Sequence, residues 1–328
     1  MATPRQKALV TAAVRGPGLE LLSELCDLTL DSWLDQPTLR IFNADQLAER
    51  VSKEGASIVV VESDRCAGPL FELPLVAVCS CRGDPTNVDV PAATAAGIPV
   101  LRAPGRNADG VAELAVGLLF SCTRQLLAAD ADVRAGEIYR DGTIPYQRFR
   151  AFELAGRTAG LVGLGAVGRA LRWRLRGLGL EVLAYDPYAD EATVSLEELL
   201  QRSDVISMHA PVTAETTGMI GTDQVAAMRD GVVFLNTARA PLHDTDALVE
   251  ALRSGKVGAA GLDHFEGESL PPDHPLTGFA SVVLAPHIGG ATYDTESNHT
   301  RTIADDLCRL LAGARPRHIV NPEVLGTG

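Results

Sequence analysis

The sequence predicts an α/β protein built as two doubly wound parallel-sheet domains with a cleft between them, and three observations carry that prediction. Short β-branched runs alternate with helix-length segments along most of the chain, the pattern of βαβ units and a parallel sheet. The runs fall into two groups, separated by a long helical stretch at 110 to about 135 and an irregular arm at 136–152. The 328 residues amount to about two domains of ~150 residues.

The first group opens with the run 8–14, apolar except for Thr11 and closed by Arg15-Gly16-Pro17-Gly18. That ending is a turn signal without a cleavage-like site, so the run reads as a first strand. Runs 57–61 and 76–79 follow as strands. Asn107 or Asp109 is expected to cap the long helix, whose Ala112, Leu114, Ala115, Leu118 and Leu119 share one face. The second group comprises the runs 158–162, 181–185, 205–209, 231–235 and 281–285. A last helix, about 294–311, carries Ile303, Leu307, Leu310 and Leu311 and is expected to pack back on the first domain. The chain then crosses between domains near 101–104 and 291–295, a natural hinge.

Composition narrows the function. With 29 Lys and Arg against 42 Asp and Glu, the net charge of −13 disfavours binding driven by phosphate-backbone electrostatics, so no nucleic-acid partner is expected. No apolar run approaches the ~18 residues of a membrane span. The six cysteines form no C-x-x-C pair and no Cys/His cluster of zinc spacing. They read as reduced packing residues of a cytoplasmic protein, and no metal is expected.

Gly163-Leu164-Gly165-Ala166-Val167-Gly168 follows the apolar run 158–162 and opens a helical segment. The first glycine permits a tight turn, the second lets a pyrophosphate approach the backbone, and the third lets helix and strand pack closely. The next strand ends in Asp186, at the spacing of the acid that accepts hydrogen bonds from an adenosine ribose. A carboxylate there repels a 2′-phosphate. The expected cofactor is therefore NAD(H), bound in a Rossmann-like domain.

Three further segments place polar groups just after apolar strands, where open parallel sheets bind ligands. They are Asn236-Thr237-Ala238-Arg239, Asp263-His264-Phe265-Glu266-Gly267-Glu268 and Pro286-His287-Ile288-Gly289-Gly290. A guanidinium can grip a carboxylate with two parallel hydrogen bonds, and an imidazole can exchange a proton with a C2 oxygen as hydride moves at C2. An acid beside the imidazole would orient it and favour its protonated form.

With these segments in view, the chain resembles the D-isomer-specific 2-hydroxyacid dehydrogenase family from about Gly55 to Asp306. Supporting stretches are Ala96-Gly97-Ile98-Pro99-Val100, Val111-Ala112-Glu113, His209-Ala210-Pro211-Val212-Thr213 with Glu215-Thr216, and Asp273-His274-Pro275-Leu276. The resemblance implies that Arg239 binds the substrate carboxylate, His287 is the acid/base and Glu268 its partner, with Glu266 as competitor for that role. It also implies a cofactor set of Gly163, Gly165, Ala166, Val167, Gly168, Asp186, His209, Pro211, Thr237, Ala238, Asp263 and Gly289, with Asp263 at the nicotinamide amide. Arg82, Gly83 and Asn107 join Arg239 in the implied substrate set. Residues 1–103 with 295–328 form the implied substrate domain, flavodoxin-like, and 104–294 the NAD-binding domain. No spacing links His209, His243, His274, His299 or His318 to a metal or a base role.

The implied activity is NAD-dependent interconversion of a small 2-keto acid and its D-2-hydroxy acid by a homodimer. The apolar side chains of the 136–152 arm support the dimer. Three positions depart from the family pattern: Ala240 stands where Gly is usual, His264 where Val is usual and Ser269 where Pro is usual. Arg82 stands in a loop that usually holds a small residue there, and is expected to meet a second anionic group on the substrate, a phosphate, phosphonate or distal carboxylate. The alternative reading is an NAD(H)-binding redox sensor or corepressor that turns over poorly.

Overall fold

The computed structural model describes residues 5–326. Up to Arg106 and again from Thr292 onward the chain forms one compact unit, and Asn107–Ala291 forms another. Among the described residues each unit holds one all-parallel sheet.

In the first unit the strands are β1 (Gln6–Val10), β2 (Cys26–Leu30), β3 (Ile58–Val61), β4 (Ala77–Ser80) and β5 (Val100–Leu101), in the order β2-β1-β3-β4-β5. This is the flavodoxin-like doubly wound order. Every residue of β3 is buried, as a central strand covered on both faces requires. Val10, Ile58, Val60 and Cys79 face Leu22, Ile303 and Leu307, while Leu9, Val59, Val61 and Val78 face Leu47, Val51 and Leu70. The Ala44–Glu54 helix opens on a reciprocal Asn43–Gln46 capping box and stops at Gly55, whose φ of 62° suits glycine. The Tyr293–Leu311 helix crosses the Pro17–Leu25 helix at Gly18, where a Cβ would come within 2.4 Å of the Arg301 nitrogen. Strand β2 alternates polar and apolar residues and β5 has only two residues, so neither stands out as an apolar run.

The second unit contains β6 (Thr158–Val162), β7 (Glu181–Tyr185), β8 (Val205–Met208), β9 (Val232–Asn236), β10 (Val257–Leu262) and β11 (Val282–Leu284), in the order β11-β10-β9-β8-β6-β7. The winding direction reverses between β6 and β8, so the carboxyl end of β6 is the switch point where such sheets bind ligands. The helix expected from 110 to 135 is two helices, Ala108–Arg124 and Leu126–Ala135, bent by 63° at Gln125, whose φ is 51°. Asn107 is the N-cap, but its side chain makes no capping hydrogen bond. Ala112, Ala115, Leu118, Leu119 and Cys122 pack on the sheet, and Gly261 admits them closely, since a Cβ there would sit 2.9 Å from Leu118 Cβ. The 136–152 arm is less irregular than its sequence suggests. It contains a short helix, Pro145–Arg148, and Arg148 ties it down by bonds to Asp132 at 2.9 Å and to the Ile138 carbonyl at 2.8 Å.

Among the described residues no single helix is long and apolar enough to cross a membrane. The bent pair passes on length and composition, but its first helix is core. All six cysteines are free, and burial pushes the thiols of Cys26, Cys66, Cys79, Cys81 and Cys122 up, the last to about 12.

Buried imidazoles make the fold acid-sensitive, three of them outside the cluster described below. His299 accepts from Arg106 at Nδ1 (2.7 Å) and donates from Nε2 to the Ala13 carbonyl (2.6 Å), while Arg106 also pairs with Glu62 at 2.6 Å. His243 accepts from Asn236 at 3.0 Å and stands edge-on to Phe234, and His209 meets the Ser207 hydroxyl at 2.9 Å. Burial holds all three at about 4, below the ordinary 6.5. Between those values the unfolded chain takes up protons that the folded chain refuses, so stability is full above pH 6.5 and falls toward pH 4, by up to roughly 3 kcal/mol per histidine. The melting temperature should therefore drop steadily from pH 7 to pH 5, and less steeply in His243→Gln. A constant melting temperature over that range would contradict the assignment.

Candidate active site

Two clusters of side chains form at the carboxyl ends of the second unit's strands. The first is the glycine turn after β6. Gly163 has a φ of 100° and donates to the Tyr185 carbonyl at 2.8 Å, and a Cβ on it would meet the Ala210 nitrogen at 2.6 Å. A Cβ on Gly168 would come within 2.3 Å of the Gly163 oxygen, so the turn closes onto the helix only with glycine at both places. Gly165 differs, because a Cβ there meets nothing within 4 Å. It is the N-cap of the Ala166–Gly177 helix and supplies no side-chain cap, leaving the first-turn N–H groups around Ala166 and Val167 available to an anion.

Asp186, at the end of β7, accepts from the Leu164 N–H at 2.7 Å and the Tyr188 N–H at 2.9 Å, one bond on each oxygen. Each oxygen keeps a lone pair for a hydroxyl. His209 Nδ1 and Thr237 Oγ1 are buried without partners among the described residues. Pro211 turns the segment after β8, its carbonyl accepting from Thr216 at 2.6 Å. A cradle with room at Gly165, open amides and two orphaned polar atoms fits a nicotinamide dinucleotide.

The second cluster is built on β9, β10 and β11. Buried Asn236 ends β9, accepts from the Ala238 N–H at 3.0 Å and donates to the Arg239 carbonyl at 2.8 Å, so it shapes the turn that presents the exposed Arg239. Asp263, 1% exposed, follows β10 and accepts from the N–H groups of Ile288 at 2.8 Å and Gly289 at 2.9 Å. Burial raises its carboxyl above the ordinary value despite those two amides. The nicotinamide role expected of Asp263 is thus joined by an anchoring one, and the Gly289 N–H is spent on Asp263.

The anchored loop carries His287, at a φ of 56°, and the turn Glu266–Glu268 carries Glu268 at a φ of 54°. His287 Nδ1 and Glu268 Oε2 meet at 3.0 Å, both side chains about half exposed. Glu268 rather than Glu266 is therefore the acid at the imidazole. Left-handed backbone at two non-glycine residues is the kind of strain that clusters at functional sites. Between this pair and Arg239 lies buried His264, its ring 3.9 Å from that of His287 and its Nε2 3.4 Å from Arg239 Nη1. Burial, with His287 and Arg239 close by, lowers it to about 4.

Donor atoms of His264, Glu268 and His287 lie within 4.8 Å of one another. An arginine only donates, so the contact with Arg239 needs the lone pair on His264 Nε2 and the proton on Nδ1, and a proton rather than a lone pair faces that centre.

The remaining expected residues lie elsewhere. Arg82 and Gly83 belong to the first unit, where the Arg82 carbonyl accepts from the Ala103 N–H at 2.8 Å and the Gly83 carbonyl from Arg102 at 3.3 Å. Asn107 stands beside Gly290, its Nδ2 3.3 Å from where a Cβ would lie. Sequence reasoning gave no role to Asn236, although it sits in a polar segment after an apolar strand, nor to Arg102, which carries no local signal.

Residues 116–289 match the family model described as "D-isomer specific 2-hydroxyacid dehydrogenase, NAD binding domain". A glyoxylate reductase of Thermofilum pendens is 37% identical over 334 residues, covering 98% of this chain and 96% of the relative. A D-3-phosphoglycerate dehydrogenase of Archaeoglobus fulgidus is 40% identical over 243 residues, 72% of this chain but only 45% of that longer protein. Among solved structures, an NADPH-dependent glyoxylate/hydroxypyruvate reductase from Sinorhizobium meliloti superposes with a TM-score of 0.78 at 27% identity, covering 97% of this chain and 98% of the other. The glycine cradle, the fold and these likenesses agree, and the chain belongs to the D-isomer specific 2-hydroxyacid dehydrogenase family of NAD-dependent enzymes.

Proposed function

We propose that the protein reduces a small 2-keto acid to the D-2-hydroxy acid, or runs the reverse, with His287, Glu268 and Arg239 as its reacting groups. The observation that carries this reading is the 3.0 Å contact between His287 Nδ1 and Glu268 Oε2 in the unit that holds the glycine cradle. Glu268 accepts the Nδ1–H and sets the ring so that Nε2 carries the proton to be delivered. Arg239 holds the substrate carboxylate through two parallel N–H donors, keeping C2 and its oxygen in one orientation. A bound reduced nicotinamide supplies the hydride. In reduction His287 Nε2 donates its proton to the C2 oxygen; in oxidation it takes that proton back.

The Asp186 carboxylate favours NAD(H), since a 2′-phosphate would face a negative charge. Arg82 supports a substrate with a second anionic group. Exposed Leu126, Leu127, Val133, Ile138, Tyr139 and Tyr146 on the bent helix and arm support a homodimer that buries them, and the free cysteines, five of the six buried, suit a cytoplasmic setting.

The test is NADH oxidation, followed by absorbance, against 2-keto acids in pairs, each singly charged acid beside a phospho, phosphono or dicarboxylate counterpart. Turnover with none, despite NADH binding, would overturn the reading. His287→Ala should lower kcat by about 10²- to 10⁴-fold, and retained turnover would reassign the acid. Arg82→Ala should raise KM for doubly anionic members only; equal KM values before and after substitution would remove Arg82 from the substrate site. Gly165→Ala should melt like the parent, because the added methyl meets nothing within 4 Å, yet bind NADH at least tenfold more weakly by fluorescence titration.

A further inference from the structure

His264 is buried and touches both halves of the proposed machinery. Arg239 approaches Nε2 at 3.4 Å, and its guanidinium has only donors, so Nε2 offers a lone pair and Nδ1 carries the proton. That Nδ1 is buried without a hydrogen-bond partner among the described residues and faces Glu268 Oε1 at 3.8 Å. The other oxygen of the same carboxylate holds His287, and the His264 ring lies against the His287 ring with centroids 3.9 Å apart. We infer that His264 is a positioning residue, a neutral imidazole that accepts from Arg239 and presents Nδ1–H to Glu268, so that one side chain sets the carboxylate clamp and the acid–base pair together. This rests on the roles proposed above for Arg239, Glu268 and His287.

The charged groups around the ring are Arg239 from the turn after β9, Glu268 and the neighbouring Asp263 after β10, and His287 after β11. Burial, first of all, with Arg239 and His287 beside it, lowers His264 to about 4, so from pH 5 to 8 it is neutral and acts by dipole and shape rather than by charge. A protonated His264 would have donors at both nitrogens and would break with Arg239. A buried polar atom left unpaired is costly, and a shift of about 1 Å would bring Nδ1, now 3.8 Å from Glu268 Oε1, to hydrogen-bond distance.

The two edges of the imidazole can be replaced separately. Glutamine reaches with its amide oxygen to the place of Nε2, and asparagine reaches with its amide nitrogen to the place of Nδ1. His264→Gln should keep KM for the 2-keto acid within about twofold while the basic limb of the kcat profile for reduction moves up by about half a unit, because Glu268 then gives all its charge to His287. His264→Asn should keep that limb in place while KM rises about tenfold, the size of one lost hydrogen bond to a charged group. His264→Val should show both effects. NADH affinity and melting temperature control for folding in each variant. Independently of turnover, imidazole ¹⁵N shifts of histidine-labelled wild-type protein should show His264 as the neutral Nδ1–H tautomer from pH 5 to 8.

A His264→Val enzyme with wild-type KM and pH profile, or an Nε2–H tautomer in the spectra, would overturn the inference. If His287→Ala turned over normally, the parent reading would fall instead, and the spectra would still report on His264 alone.

Discussion

The proposed reacting groups hang from one buried carboxylate. Asp263 stands just past β10, takes the Asn236 carbonyl through its own N–H at 3.0 Å, and takes the Ile288 and Gly289 N–H groups through its two oxygens. Three neighbouring strand ends are thereby locked to one another. Asn236 shapes the turn that presents Arg239, and the Ile288-Gly289 amides sit immediately beyond His287. Because β9, β10 and β11 are adjacent and parallel, their ends lie side by side, and a single side chain can reach from one loop to the next. Charge-assisted bonds to backbone amides are about twice as strong as neutral ones, which is what offsets the burial of an acid this deep.

The same anchor explains the left-handed backbone at His287. An αL conformation at a non-glycine residue costs on the order of 1 kcal/mol or more and persists only where the surroundings over-determine it. Two amides captured directly after His287 do that. Gly289 is part of the arrangement: a Cβ there would stand 3.0 Å from Asp263 Oδ2 and 3.2 Å from Val111 Cγ2, so the loop approaches the carboxylate closely only with glycine. Gly267 precedes Glu268 at a φ of 64°, giving two successive left-handed residues that turn the carboxylate back toward the imidazole.

Much of this was legible in the sequence because it is carried by local rules. Buried parallel strands write themselves as apolar runs, and β6 and β7 lie where the runs predict them, with the glycine turn between β6 and its helix. The strands that escaped are those whose signal is weak for a physical reason: β2 alternates at an edge, β5 has two residues, and β10 is diluted by Gly258, Gly261 and the two alanines between them. The break at Gln125 also escaped, because nothing in Arg-Gln-Leu-Leu forbids a helix. In the site, residue types and spacing pointed to Arg239, Glu268 and His287, whereas the second job of Asp263 and the work of Asn236 depend on which amides the loops bring within 3 Å. Sequence spacing does not encode that.

A chain of net charge −13 that handles an anionic substrate presents an apparent conflict, and length scale resolves it. Surface charges are screened beyond about 8 Å at physiological ionic strength, so the overall acidity repels an extended polyanion far more than a small acid that has already arrived. At contact the local pattern decides. Arg239 is exposed beside an imidazole whose burial keeps it uncharged, while Asp263 accepts from backbone amides and Glu268 meets His287. The negative charge of these two carboxylates is thus already hydrogen-bonded where it stands. The guanidinium keeps donors to offer, and a neutral His264 takes up one of its N–H groups without adding a competing anion.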